Sequence, residues 1–480
     1  FRSQDIAWSL FNLGWVLMAV NRLEEGEEAS REALRLYEES TPTTLYDPMR
    51  GITISLRNIS TALFLTGRAS EGEKTLREVL EIDRERASKR PDMVSEVRDL
   101  GVSLLNLGEL LRYTNRPDEA IELHQEALQL YRELAEKEPE LFLSTVPYAL
   151  NSLATPLKQT GRYSEAEEAY LEALEISREL AEKTPDVFSR HFAWTLQDFA
   201  VLLRQTGRAS EAEERCREAL KTYREISAKS QGKYDHDFSW NLNNLAVLLR
   251  QTGRVAEGEE AYREALHIAR TISHKAPEAA FLTDLVATIL NNLAVLLRQT
   301  GKTTEAEESL LEALKMRKQL AQKCPEHFLH RVATTLNNLG VLLCETDRLS
   351  EAEDAFKEAL RIRRELAKKS PIANGPGVAS TLSNLGILYN RTGRISESDE
   401  VYREAIDVGE ELVSKAPAVY QQGLVTTLCD YALMISSIDN KGSIVQSTVT
   451  RLKELGVESL PENEKWSEDE EEEINPAGPI

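Results

Sequence analysis

The chain has 480 residues, with 58 Lys and Arg against 80 Asp and Glu, a formal net charge of −22. That balance excludes a general polyanion binder, since nucleic-acid affinity rests on Lys and Arg neutralising phosphates, and a 41% hydrophobic, 29% charged composition excludes wholesale disorder. No apolar stretch reads as a membrane span of about 20 residues, and the four scattered cysteines Cys216, Cys324, Cys344 and Cys429 make no disulfide framework, so a soluble protein of a reducing, cytoplasmic compartment is expected, without nucleic-acid or membrane partners. An opening at Phe1 rather than Met is what a piece of a longer polypeptide would show.

A self-repeat organises the sequence. Residues that tolerate a left-handed backbone recur at Asn21, Gly67, Asn115, Gly161, Gly207, Gly253, Gly301, Asp347, Gly393 and Asp439, spaced by 46 or 48. Each of these anchors follows an amphipathic segment, helix A, such as Trp240 to Thr252, with Leu242, Leu245, Leu248 and Leu249 at helical spacing. Each precedes a second segment, helix B, whose pairs Ser70/Glu73, Ser164/Glu167, Ser210/Glu213 and Ser350/Glu353 read as capping boxes. A proline recurs 24 residues after seven anchors, as at Pro185, Pro325 and Pro371, and is expected to end helix B. Small residues stand seven before the anchor (Gly14, Ala246, Gly340) and five after it (Ala212, Gly258, Ala306), where two helix axes must approach closely. An Arg or Lys follows nine of the anchors, near a Glu, and reads as a turn cap. The tenth unit departs from the pattern, so residues 441–460 are expected to form a capping helix and residues 461–480, with eight acids against Lys465, a disordered acidic tail.

Leu245, Ala246, Gly253, Glu257, Gly258, Tyr262, Ala265 and Leu266 together resemble the tetratricopeptide repeat, and the likeness extends over about residues 1–440. The period of 46 exceeds that family's basic 34. The lengthened helix B is similar to that of kinesin light chain-type arrays and of arrays attached to CHAT-type protease or NTPase effectors. The resemblance implies an all-α, right-handed α-solenoid of about ten hairpins whose helices A line a concave groove, and a non-enzymatic scaffold or adaptor. The alternative is a sensor or regulatory module of a larger effector.

Two stripes on helix A are the candidate binding residues. Asn106, Asn244, Asn292, Asn338 and Asn384, with the neighbours Asn243, Asn291 and Asn337, offer donors and acceptors suited to the backbone of an extended peptide. Arg112, Lys158, Arg204, Arg250 and Arg298 lie on roughly the same face and suit carboxylates or phosphates, so the expected partner is a protein or peptide that is extended and acidic. Solubility and helix propensity explain the Arg and Gln equally well, and an interhelical bond would explain the Asn. Gly301-Lys302-Thr303 lacks the strand and upstream Gly of a phosphate-binding loop, and the single cluster Cys324, His327 and His330 lacks a second pair, so no catalytic residue, cofactor or metal is expected. Cys216 and His124 occupy an apolar place held by Tyr in other repeats and are expected in the core. The acidic tail could fold back onto the basic ladder as a pseudo-ligand.

Overall fold

The computed structural model describes the chain apart from residues 1, 20–21, 41–47, 67, 115, 231, 278, 370, 437–441, 458–465 and 467–480. The described residues form twenty-one α-helices and no strand. Twenty of the helices pair as A and B, from Arg2–Ala19 with Leu23–Glu38 to Pro417–Ser436 with Gly442–Glu454, and Pro139–Phe142 is a single extra turn. The architecture is therefore an all-α array of ten hairpins. They gather into two compact units, Phe1–Leu285 with Cys324–His327, and Val286–Lys323 with Phe328–Ile480.

The turn that makes each hairpin is set by one backbone torsion. Gly161, Gly207, Gly253, Gly301 and Gly393 have φ between 74° and 78°, and Asp347, the non-glycine with positive φ among the described residues, has 61°. The amide after each anchor then returns to a carbonyl five residues back, as in Arg254 N to Leu249 O at 2.8 Å, which closes helix A as helix B begins. The anchors expected at Asn21, Gly67, Asn115 and Asp439 lie outside the described residues.

Two local readings need correction. The Ser of each Ser/Glu pair is the second residue of helix B, not its cap: helix B starts at Ala69, Tyr163 and Ala209, and the N-cap residues Arg68, Arg162 and Arg208 make no side-chain capping bond. The Glu instead receives the next repeat's Arg. Arg208 Nη1 reaches Glu167 at 2.5 Å while its Nε binds Glu211 of its own helix at 2.7 Å, and Arg254 forks in the same way to Glu213 and Glu257. The pattern returns in Arg348 with Glu307 and Glu351, and in Arg394 with Glu353 and Glu397. Each exposed pair contributes about 0–1 kcal/mol, so the forks fix repeat register more than they stabilise the stack. The recurring proline also does more than stop helix B. Pro185, Pro325, Pro371 and Pro417 are the first residues of the following helix A, where the missing amide costs nothing and the fixed φ is already helical.

Close approach explains the small residues. A Cβ on Gly340 would lie 2.6 Å from the Phe356 ring, so the glycine admits an aromatic knob from helix B. Tyr170, Tyr262, Phe356 and Tyr402 fill that place and are fully buried. Cys216 and His124 sit there too, and burial raises the Cys216 thiol to about 12 and lowers the His124 imidazole. Helix A of the seventh hairpin, Ala280–Gln299, is long and apolar enough to cross a membrane, contrary to the sequence expectation, but 89% of its apolar window is buried inside the protein. In the last helix, Gly442–Glu454, Leu452 joins the cluster of Leu424, Leu428 and Ile435. Of residues 461–480, expected to be an unfolded tail, only Trp466 is among the described residues, and it is partly buried.

The space around Gly253 isolates the backbone effect, since a Cβ there would meet nothing within 4 Å. Gly253→Val is expected to cost about 1–2 kcal/mol from φ alone, and Gly253→Asn less than half of that. Urea midpoints measure both, and an unchanged midpoint for the valine variant would contradict the turn account.

Candidate functional site

Successive helices A touch one another directly in the first unit, which makes them the inner layer of the stack. The Asn stripe lies in that contact. Asn243, Asn291, Asn337 and Asn384 have 0% exposure, and Asn244, Asn292 and Asn338 are also buried; Asn106 is partly exposed. Several of their amides serve their own fold, while the buried Asn244 Nδ2 has no hydrogen-bond partner among the described residues. Asn384 Nδ2 donates to Asn337 Oδ1 at 3.0 Å and Asn338 Nδ2 to Asn291 Oδ1 at 3.2 Å, each across one repeat, while Asn243 and Asn291 donate to the adjacent Asn244 and Asn292. An amide inside a helix that weakly favours it is thus explained by a buried interhelical bond, which in a low-dielectric interior must be satisfied.

The basic stripe lies one to two turns further along helix A, nearer the turn. In the first unit Arg112 and Lys158 are buried, and Arg204 and Arg250 are partly buried beside the exposed amides of Gln205 and Gln251. Arg112 is held by Glu109 at 2.8 Å and stacks over the Tyr113 ring at 4.0 Å. Burial lowers the Arg204 and Arg250 pKa values, and Arg250 lowers that of Arg204 further by like-charge repulsion. In the second unit Arg298 pairs with Glu345 of the next helix A. The next place in the series is Cys344, fully buried, its thiol pushed up to about 12 by desolvation.

Lys158 and Asp198 form the most perturbed pair. Burial lowers the Lys158 ammonium to about 8, opposed by the attraction of Asp198 and aided by Arg112 and Arg204. Burial raises the Asp198 carboxyl to about 7, opposed by Lys158 and Arg112 and aided by Glu109. Near neutrality the stripe can therefore take up a proton at Asp198.

Sequence reasoning did not find the buried guanidiniums. Arg317 is fully buried and donates to Thr288 Oγ1 at 2.9 Å and Thr335 Oγ1 at 2.8 Å, and Arg363 donates to Thr381 Oγ1 at 2.6 Å. Their signal was present as an Arg followed 18 residues later by a Thr, repeated at the 46-residue period. Among the described residues, no three His, Cys, Asp or Glu gather into a group that could hold a metal.

Two tetratricopeptide-repeat family models match the chain, one over residues 51–133, 237–319 and 285–365, the second over 148–186, 192–236 and 378–416. No curated protein matches it. Similar solved structures include the apo quorum sensor NprR from B. thuringiensis, at 16% identity and TM-score 0.51 over 83% of this chain and 100% of that one. A Rap protein complexed with competence and sporulation factor matches at 13% identity and TM-score 0.52, over 85% of this chain and 99% of that one. The chain also matches a STAND protein with a tetratricopeptide repeat sensor from Pyrococcus horikoshii at 15% identity and TM-score 0.45, covering 83% of this chain but only 55% of that one.

The Asp198 shift has a direct consequence for stability. Its folded value lies above the unfolded value of about 4, so its contribution is fully present below about pH 4 and is lost as pH rises through 7. Lys158 shifts the opposite way, and its contribution is lost as pH falls through 8, leaving the window between about 4 and 7 to Asp198. Against a Lys158→Met/Asp198→Asn variant, the wild type is expected to lose up to a few kcal/mol between about pH 5 and 7. Parallel urea-midpoint curves for the two proteins would contradict the burial reading.

Proposed function

Since this chain belongs to the tetratricopeptide-repeat family, we propose that it is a non-catalytic protein-interaction scaffold whose helix A layer holds an extended, acidic peptide segment. The observation that carries this reading is the recurrence of a cation at one place of four successive helices A in the first unit, Arg112, Lys158, Arg204 and Arg250. A chain with a net charge of −22 that sets its cations at this regular place on its inner layer has a surface complementary to carboxylates and unlike its own average. Arg204 and Arg250, partly exposed and next to Gln205 and Gln251, make the charge and backbone contacts. Arg112 and Lys158 act behind them by charge. Of the amide stripe, Asn106 retains surface for a ligand, and the buried Asn243, Asn244, Asn291, Asn292, Asn337, Asn338 and Asn384 set the spacing of the helices that carry the cations. In the second unit Arg298 holds the same place in its helix A and is tempered by Glu345. The layer is preformed, so the ordering cost of association falls on the peptide. The Rap protein, similar in fold, is complexed with competence and sporulation factor, which agrees with a binding role.

Binding of a fluorescein-labelled poly-Glu-containing dodecapeptide, followed by anisotropy, tests the proposal. Arg204→Glu/Arg250→Glu is expected to weaken it at least tenfold, about 1 kcal/mol or a little less for each reversed charge, and the wild-type affinity is expected to fall with added salt. Protonation of Asp198 removes a negative charge from the stripe and protonation of Lys158 adds a positive one, so affinity should rise as pH falls from about 8 to about 6.5, and this rise should vanish in Lys158→Met/Asp198→Asn. Equal affinity of wild type and double variant overturns the proposal.

A further inference from the structure

The basic stripe breaks at one place, and that place is filled from elsewhere in the chain. Helix A of the eighth hairpin, Pro325–Glu345, carries Cys344 where Arg298 stands one repeat earlier. A thiol lacks the reach and the charge of a guanidinium. Beside it Arg391, at the end of helix A of the ninth hairpin, donates to the Cys344 carbonyl oxygen at 3.2 Å and holds its guanidinium 6.0 Å from the centre of the Trp466 ring. On its other side Trp466 lies nearly parallel to the Phe356 ring, with centroids 6.2 Å apart and planes at 19°. It packs on the core cluster that contains Ile387 and Tyr402.

These contacts define a socket between two successive helices A and the helix B knob beneath them. The equivalent place one repeat earlier is closed: Val295, Leu310, Val341 and Arg298 pack together there and leave no room for a water molecule. Leu310, Arg298 and Val341 correspond, at the 46-residue period, to Phe356, Cys344 and Ile387. In that copy Arg298 crosses to Glu345. Replacement of Arg by Cys in the next copy removes both the side chain and the ion pair, and an indole takes the room between a phenyl ring and a guanidinium, a setting that favours a large aromatic with an electron-rich face. The residue supplied is in the most acidic stretch of the chain: Glu462, Glu464, Glu468 and Asp469 flank Trp466, and Glu470 to Glu473 follow.

We propose that the Cys344–Phe356–Arg391 socket is a ligand site of the helix A layer and that Trp466 of the acidic tail is its resident occupant, so that the chain carries its own competitor for an acidic partner bearing an aromatic residue. This inference rests on the helix A layer being the ligand-bearing one, as argued above, but places Trp466 at the gap in the cation series rather than at Arg112 to Arg298. The tail is covalently attached and acts at an effective concentration in the millimolar range, so a weak contact suffices to keep the socket filled.

The test uses the full chain and a peptide of residues 462–473, titrated to millimolar concentration. Trp466→Ala protein is expected to bind the peptide at least tenfold more tightly than wild type, adding Arg391→Glu is expected to abolish that gain, and a peptide with Ala in place of Trp should bind neither. In parallel, the Trp466 emission, taken as wild type minus Trp466→Ala, should resist acrylamide quenching severalfold better than the free peptide and lose that protection in Arg391→Glu. Equal peptide affinity of wild type and Trp466→Ala, or quenching equal to the free peptide, overturns the proposal. Binding of the 462–473 peptide to Trp466→Ala that persists while the poly-Glu peptide binds Arg204→Glu/Arg250→Glu as tightly as wild type would leave the socket standing while removing the cation-series reading, so the two can fail separately.

Discussion

One torsion underlies the rest of this structure. A residue with φ near +75° ends helix A and starts helix B with no linker to spare, and every described anchor from Gly161 to Gly393 obeys it. With the turn fixed, the Arg that follows most anchors meets a Glu of the preceding hairpin in the same way, as in Arg208 to Glu167 and Arg254 to Glu213. The small residue seven positions before the anchor then faces the aromatic nine positions after it, as Gly340 faces Phe356. Repeat register, close helix approach and the alignment of the cations of successive helices A from Arg112 to Arg250 all follow from a turn that cannot slip.

That alignment is what turns a fold into a candidate site. Cations spaced by 46 residues are far apart in the chain and adjacent in the stack. Their self-energy is managed locally: Arg112 leans on Glu109, Lys158 is opposed by Asp198, and Arg298 is matched by Glu345. Arg204 and Arg250 are the partly exposed members of the series in the first unit. A polar residue on an inner layer is not by itself a contact residue, and the two stripes separate on this point. Amides of the second unit bond across repeats, as Asn384 does to Asn337, whereas Arg204 and Arg250 keep part of their surface towards solvent.

Much of this was legible in the sequence because a repeated fold writes each constraint ten times. The period gave the anchors, the anchors gave the hairpins, and the core roles of Cys216 and His124 followed from their place in register. The details that did not read out were those where one residue has two uses. The Ser/Glu pairs match a capping box, but the Glu is claimed by the next repeat's Arg, and a single repeat cannot show that. The proline that stops helix B also begins helix A. The Asn stripe has the chemistry of a peptide-binding surface and also of an interhelical bond, and only burial distinguishes the two. The contact of Trp466 with Phe356 joins residues more than a hundred positions apart and outside the repeat, where periodicity carries no information.

The central claim is that an acidic segment lies along the cations of helix A. Arginine modification by phenylglyoxal, read by mass spectrometry with and without a saturating acidic peptide, addresses it residue by residue. The account predicts protection of Arg204 and Arg250 with no change at the helix B residues Arg132, Arg178 and Arg224, which are half-exposed or more. Protection confined to helix B, or none at either place, contradicts it.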